Sequence, residues 1–321
     1  MFKKGLVVGK FYPPHRGHKY LIDSALAACE QVTVIVCYKK SETIPGTLRA
    51  SWLQTIHPTA KIMLIDDNKL DDNDSKGWAA YTKEILGYTP DAVFTSESYG
   101  DLYASFMGCV HVLVDKERTT IPISGTKVRS NPSKYSEFLE PCVRAYFAKR
   151  ICVLGAESTG TTTLTKALAA HYQTVWVPEY GRYYSESKLT AGKNVEWRSE
   201  EFVHIAQAQQ TFEDRLAESA NKFILSDTDA FATSVWHERY MGTVSQEVEA
   251  IAAKAHHDLY LLTGDEIPFV QDGTRDGEHV RHDMHKRFVE KLRETKRPFF
   301  LIQGTHEERM KAAVGAINAL S

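Results

Sequence analysis

Short apolar, β-branched runs alternate with amphipathic helical patterns along the whole chain, and this alternation predicts its architecture. Residues 6–8, 32–38, 61–65, 92–95 and 110–114 read as buried strands separated by segments of helical spacing. The clearest helix begins near His18, where Leu21, Ile22, Ala25, Leu26, Ala28 and Cys29 fall on one face. A helical pattern over 135–147 closes this series. Lys149 and Arg150 then open a strand over 151–154, and the pattern begins again with 174–177, 223–227, 259–262 and 299–302. Strands spaced by helices pair in parallel, with helices on both faces of the sheet. The expectation is an α/β chain of two domains, 1–148 and 149–321, each built on a parallel sheet.

With 321 residues and 43% hydrophobic content, the chain can fill two cores. A formal net charge of −2 argues against a broad electrostatic footprint on nucleic acid, and no basic tract precedes the first strand. The five cysteines, at 29, 37, 109, 142 and 152, form no CxxC pair and no metal spacing. They read as small apolar residues of a reducing compartment, so the cytoplasm is the expected location. The apolar stretch after Lys3 and Lys4 is too short for a signal peptide, and no window is long enough to span a membrane. Asp66, Asp67, Asp71, Asp72 and Asp74, with Asn68 and Asn73, read as a solvated loop, with attraction of Mg²⁺ as the lesser alternative. Nothing in the pattern sets the oligomeric state, and a homo-oligomer is compatible with it.

Candidate chemistry concentrates where strands meet helices. Gly9-Lys10-Phe11-Tyr12-Pro13-Pro14-His15-Arg16-Gly17-His18 joins the first strand to the first helix. Orphan backbone N–H groups and the positive end of the macrodipole at that helix start attract anions, and His15 and His18 add donors beside them, so a triphosphate fits. The same residues also admit a zinc pair or two surface histidines. Downstream lies Ile123-Ser124-Gly125-Thr126-Lys127-Val128-Arg129, which alone reads equally as an N-cap followed by a basic turn. Together and in this order, the two segments resemble the HxGH and ISxTxxR signatures of the nucleotidyltransferase superfamily.

Further segments extend the likeness over nearly the whole chain: Pro45-Gly46-Thr47-Leu48-Arg49-Ala50-Ser51-Trp52, Gly77-Trp78, Ser96-Glu97-Ser98-Tyr99-Gly100 and Val114-Asp115-Lys116-Glu117-Arg118. They resemble the transferase half of bifunctional nicotinamide mononucleotide (NMN) adenylyltransferase/ribosylnicotinamide kinases. That resemblance implies a Rossmann-like parallel sheet in which His15 and His18 steady the α-phosphate while pyrophosphate departs. It makes Ser124, Thr126 and Arg129 holders of the β- and γ-phosphates, and Gly9, Lys10 and Phe11 part of the ATP site. It also implies that Trp78 stacks on the pyridinium ring, a cation–π contact, and that Arg49 and Arg118 clamp phosphate or substrate. From the residues alone, Trp78 also reads as a core tryptophan and the two arginines as solvated surface groups.

The second series opens with Gly155-Ala156-Glu157-Ser158-Thr159-Gly160-Thr161-Thr162, an ATP-binding P-loop of the form GxxxxGK[ST] in which threonine stands at the lysine position, 161. Gly155 and Gly160 keep the loop conformation with its N–H cradle, and Thr162 stays in register for Mg²⁺. A point charge at the β- and γ-phosphates is missing, and its uncompensated loss weakens phosphoryl transfer by orders of magnitude. Lys166 is an awkward replacement, because about 500° of helical rotation separates it from Thr161. Arg275 and Arg281 lie in a polar segment, 271–285, that looks like a lid, and they are the expected substitutes at the ATP site.

Pro178-Glu179-Tyr180-Gly181-Arg182, Phe223-Ile224-Leu225-Ser226-Asp227-Thr228-Asp229 and Asp272-Gly273-Thr274-Arg275 resemble the P-loop kinase half of the same family. The likeness implies that Glu179 accepts the proton of the ribose 5′-hydroxyl, Asp227 reaches Mg²⁺, Asp229 contacts nucleoside or metal, and Asp272 contacts substrate. Each carboxylate alternatively reads as a helix cap or an exposed turn. His279, His282 and His285 drift about 60° per step around a helix and read as a polar lid helix. His256 and His257 read as a surface helix end.

The resulting expectation is a cytoplasmic enzyme of NAD salvage whose substrates are ATP, NMN and nicotinamide riboside, aided by Mg²⁺. The first domain would join ATP and NMN into NAD⁺ and pyrophosphate by in-line attack, and the second would phosphorylate nicotinamide riboside to NMN. One alternative makes the second domain a sensor that binds ATP or NAD⁺ without turnover. Another gives the first a different phosphomonoester, such as phosphopantetheine. A DNA-binding regulator is disfavoured by the near-neutral charge and by a first strand that leaves no room for the N-terminal repressor domain of some relatives.

Overall fold

The computed structural model describes residues 1–68, 71, 74–191, 196–271 and 277–320. It divides the chain into two compact units, Met1–Arg144 and Ala145–Ser321. The first contains β1 (Phe2–Gly9), α1 (Arg16–Ala28), β2 (Cys29–Tyr38), α2 (Gly46–Ile56), β3 (Lys61–Asp66), α3 (Ser75–Leu86), β4 (Ala92–Thr95), α4 (Gly100–Met107), β5 (Val110–Leu113) and α5 (Gly125–Ser130). The helix α6 (Pro141–Phe147) spans the division. Its sheet is parallel throughout, in the order β3-β2-β1-β4-β5.

Consecutive residues of a strand point to opposite faces, and both faces of this sheet are covered. Val7 packs with Ile22, Val34, Leu53 and Phe94 on one side. Leu6 packs with Ile35, Val93 and Met107 on the other. Cys29 departs from the helical reading: its backbone is already extended, and it opens β2 directly at the end of α1. The sulfur fills the space above Gly5, where a Cβ would stand 2.5 Å from Cys29 Sγ.

The second unit contains β6 (Lys149–Leu154), α7 (Thr161–Tyr172), β7 (Trp176–Val177), α8 (Tyr180–Ala191), α9 (Ser199–Ala217), β8 (Phe223–Asp227), α10 (Ala230–Met241), α11 (Gln246–Lys254), β9 (Leu259–Thr263), α12 (Glu278–Glu294), β10 (Phe299–Ile302) and α13 (His306–Asn318). Its parallel sheet runs β10-β9-β6-β8-β7. Ile151 and Val153 pack against Leu168, Leu225 and Ile302, while Cys152 and Leu154 pack against Phe231, Tyr260 and Phe288. Ala145 and Ala148 pack with Val177, Ala217 and Ile224, so this unit begins ahead of β6.

In both sheets the first strand in sequence is central, and the chain winds first to one side of it and then to the other. Such a reversal opens a crevice at the carboxyl ends of the central strands. The two candidate sites lie there.

Candidate active sites

In the first unit, a cavity of about 610 Å³ lies at the carboxyl ends of β1 and β4, lined by Gly9, Lys10, Phe11 and His18 from one and Thr95, Ser96 and Glu97 from the other. The chain leaves β1 through Phe11, whose φ of 46° is left-handed, and whose buried ring meets the His18 ring edge-on at 5.0 Å. His15 is the N-cap of α1, and its Nδ1 accepts the His18 backbone N–H at 3.3 Å. A neutral His15 therefore carries its proton on Nε2. The two imidazoles stack with centroids 3.7 Å apart. Gly17 permits this, since a Cβ there would press on the His15 ring at 3.1 Å.

Burial, the nearby Arg118 guanidinium and the partner imidazole all disfavour charge on this pair. Burial first and Arg118 second lower the His15 pKa to about 4. His18 lies well below its ordinary value for the same reasons, with His15 adding to the effect. His18 Nδ1 is buried without a hydrogen-bond partner, which leaves a polar atom for a ligand to satisfy.

The second signature closes on this loop. A Cβ at Gly125 would stand 2.6 Å from the Tyr12 carbonyl oxygen, so only glycine admits the contact. Arg129 Nη1 donates to that same carbonyl, its Nη2 donates to Thr126 Oγ1 at 3.3 Å, and its guanidinium lies 4.5 Å from the Tyr12 ring centre. The Ser124 hydroxyl accepts the Lys127 N–H as the cap of α5 and keeps its own proton to donate. Arg118 pairs with Glu97 at 3.0 Å. Trp78 lines the cavity, its indole N–H donating to the Asp71 carbonyl at 3.0 Å.

Two expectations change here. Arg49 is fully buried; Nη1 donates to the Lys10 carbonyl and Nη2 to Glu42 at 2.5 Å, so it props the phosphate loop from behind instead of clamping a substrate. Asp67, expected in a solvated loop, is 2% exposed, lines the cavity and stands 3.7 Å from Lys10 Nζ. Its place just beyond the end of β3, where crevice residues gather, was the available signal. Asp72 and Asn73 of that loop lie outside the described residues.

In the second unit, a cavity of about 490 Å³ is lined by the P-loop from Gly155 to Ser158 and Gly160 to Thr162, by Glu179 between β7 and α8, and by Asp227 at the end of β8. Ser158 and Gly160 have left-handed φ values of 59° and 82°. At Gly155 a Cβ would meet Thr263 Oγ1 at 2.1 Å. Behind the loop, Arg309 Nη1 donates to the Thr159 carbonyl at 2.6 Å, and Arg281 Nη2 to the Ser158 carbonyl at 3.2 Å. Holding carbonyls backwards favours turning N–H groups forwards, the arrangement of an anion nest. Nothing local in sequence pointed to Arg309, which lies 150 residues from its partner.

The Thr162 hydroxyl donates to Asp227 Oδ2 at 2.5 Å. Asp227 Oδ1 is buried without a hydrogen-bond partner, and burial pushes the carboxyl's pKa up, against the pull of Thr162. An underused buried carboxylate beside a threonine hydroxyl fits a hard divalent cation. The far wall is aromatic: Trp197 and Tyr240 lie 5.4 Å apart, with Phe202 and Trp236 beside them.

The expected site residues of this unit divide. Arg281 is 4% exposed and donates to the Ser158 carbonyl, so it braces the P-loop from behind, outside the cavity where it was expected. Arg275 and Asp272 lie outside the described residues. Asp229 does not reach the cavity: it is fully buried, caps α10 through the Ala232 N–H at 2.9 Å, and accepts the Tyr260 hydroxyl at 2.8 Å. His257 is not on a surface helix end but 3% exposed, between Asp229 at 3.3 Å and Glu213 at 3.4 Å. Burial alone would lower its pKa, but the Glu213 carboxylate overrides it and the net shift is upward.

Two stability measurements check these assignments. Removing one partner of a buried ion pair costs about 3–5 kcal/mol, so Arg49→Ala should lower the unfolding free energy of the first unit by that order, read as a lower urea midpoint; an unchanged midpoint would mean the guanidinium is a dispensable surface clamp. The histidine pair sets a pH dependence. Because the folded pKa of His15, about 4, is below its ordinary 6.5, the folded state binds fewer protons. Stability is therefore complete above pH 6.5 and declines as pH falls toward 4. Unfolding curves at pH 7.5, 6 and 5 should show this slope, and it should flatten in the double variant His15→Gln, His18→Gln.

Known proteins resemble this chain in sequence and in fold. A family model described as "AAA domain" matches residues 150–309. The fold of the chain resembles a crystal structure of NadR protein in complex with NR, at TM-score 0.79 and 20% identity over 100% of this chain and 96% of that one. It also resembles one in complex with NAD and AMP-PNP, at TM-score 0.77 and 21% identity over the same shares. The nicotinamide-nucleotide adenylyltransferase of Aeropyrum pernix is 31% identical over 45% of this chain and 90% of its own length. The trifunctional NAD biosynthesis/regulator protein NadR of Escherichia coli is 31% identical over 93% of this chain and 78% of its own length. The NadR of Salmonella typhimurium matches at 31% over 90% and 76%. On that likeness, the chain belongs to the NadR family of NAD-biosynthesis proteins.

Proposed function

We propose that the first unit transfers AMP from ATP to NMN, forming NAD⁺ and releasing pyrophosphate, and that the second phosphorylates nicotinamide riboside to NMN. The observation that carries the first step is the stacked, neutral imidazole pair at the crevice, with the Ser124–Arg129 segment closed against the same loop. An oxygen of the NMN phosphate attacks the α-phosphorus, and the bond to the bridging oxygen of the β-phosphate breaks in line. Imidazole N–H groups and the α1 N-terminus stabilise the charge that develops there. Arg129, Thr126 and Ser124 hold the departing pyrophosphate. The half-buried face of Trp78 suits the cationic pyridinium.

In the second unit, the 5′-hydroxyl of the riboside attacks the γ-phosphorus, Glu179 takes its proton, and ADP leaves. The aromatic wall around Trp197 suits the pyridinium of this substrate. Thr162 and Asp227 would hold Mg²⁺, which when bound supplies charge compensation to the phosphates. The competing reading, an ATP sensor without turnover, is favoured by Thr161 in place of lysine. Among the described residues no helix is long and apolar enough to cross a membrane, and the net charge of −2 supports small-molecule partners over nucleic acid in a cytoplasmic setting.

The full chain, given nicotinamide riboside and Mg·ATP, should accumulate NMN and then NAD⁺. Replacing His15 and His18 by alanine should slow NAD⁺ formation by about 10²–10³-fold or more while NMN still accumulates. Glu179→Ala should cut riboside phosphorylation by about 10²–10⁴-fold yet leave conversion of added NMN intact. A parent chain that binds ATP and never makes NMN would decide for the sensor.

A further inference from the structure

We propose that Lys166 supplies the positive charge that Thr161 cannot, reaching the ATP phosphates from one turn further along α7. The inference rests on the ATP site proposed for the second unit, and it names the residue that completes it.

Helical geometry permits the reach. The relevant comparison is with Thr162: four residues turn through about 400°, so Lys166 lies on the same face, about 6 Å along the axis. Helical side chains lean toward the N-terminus, which carries the lysine stem back over Thr162 and toward the P-loop. Lys166 accordingly lines the cavity together with Thr161, Thr162 and Asp227. Its ammonium rests 4.9 Å from the Trp176 ring centre, a soft contact from which it can swing to a phosphate.

Two other cations of this region stand outside the cavity. Arg309 and Arg281, 5% and 4% exposed, donate to P-loop carbonyls from behind. Among the described residues, Lys166 and Arg182 are the basic side chains lining the cavity. Arg182 stands on α8 and pairs with Glu186 at 3.0 Å. Lys166 alone projects from the helix whose N-terminus forms the phosphate cradle.

The test uses the full chain with Lys166→Met, Lys166→Arg and the double variant Thr161→Lys, Lys166→Met. Riboside phosphorylation and calorimetric affinities for Mg·ATP and Mg·ADP are read for each, with thermal unfolding as the folding control. Lys166→Met should lose about 10²-fold in turnover and bind Mg·ATP about tenfold more weakly while changing Mg·ADP less. The arginine variant should keep most of the parent's activity, and lysine restored at 161 should recover most of the loss. Turnover and ATP affinity within about threefold of the parent overturn the proposal, as does a loss that lysine at 161 leaves unrepaired. Should the parent bind ATP without transferring phosphate, the kinase reading fails separately, and the ATP-against-ADP affinities still decide the role of Lys166.

Discussion

The first site depends on one backbone contact. At Gly125 the chain passes so close to the Tyr12 carbonyl that a single added carbon would lie 2.6 Å from the oxygen. That contact lets Arg129 seize the same carbonyl, and so joins two segments 117 residues apart. Without it, α5 would not close on the loop that leads into α1. The second unit repeats the theme at Gly155, which admits the Thr263 and Thr159 hydroxyls beneath the P-loop. In both units glycine serves the approach of chain to chain as much as its own torsional freedom.

Buried arginines are the second shared device. Arg49, Arg281 and Arg309 each donate to a carbonyl of a phosphate loop from the protein side. A guanidinium that stays charged at any working pH gives such a loop a permanent anchor. The cost of burying it is offset where a carboxylate stands by, as Glu42 does for Arg49 and Glu266 for Arg309. These arginines brace the loops without lining the cavities.

Electrostatic preparation differs between the crevices. The first holds neutral imidazoles kept so by burial and by Arg118, with Lys10 paired to Asp67 at 3.7 Å in the same cavity. Neutral donors can favour an anion without the desolvation that a preformed charge pair would require. The second holds a buried carboxylate with an underused oxygen, and behind it the His257 cluster, which packs α10 against β9 through Asp229 and Tyr260.

Periodicity determined the strands, their parallel pairing and the repetition of the architecture, because alternation and helical spacing are local properties that survive in a single sequence. The two phosphate loops were legible for the same reason: each is contiguous, and its glycines stand at fixed spacing between a strand and a helix. Direction and burial of isolated side chains were not. Asp229 and His257 turned inward, Asp67 turned into the crevice, and Arg49 disappeared behind a loop, since what surrounds a side chain is contributed by residues far away in the chain. The same holds for Lys166. Counted along the helix from Thr161 it points the wrong way; only the tertiary structure, by placing Asp227 and Trp176 around the same cavity, shows which face of α7 looks onto the site.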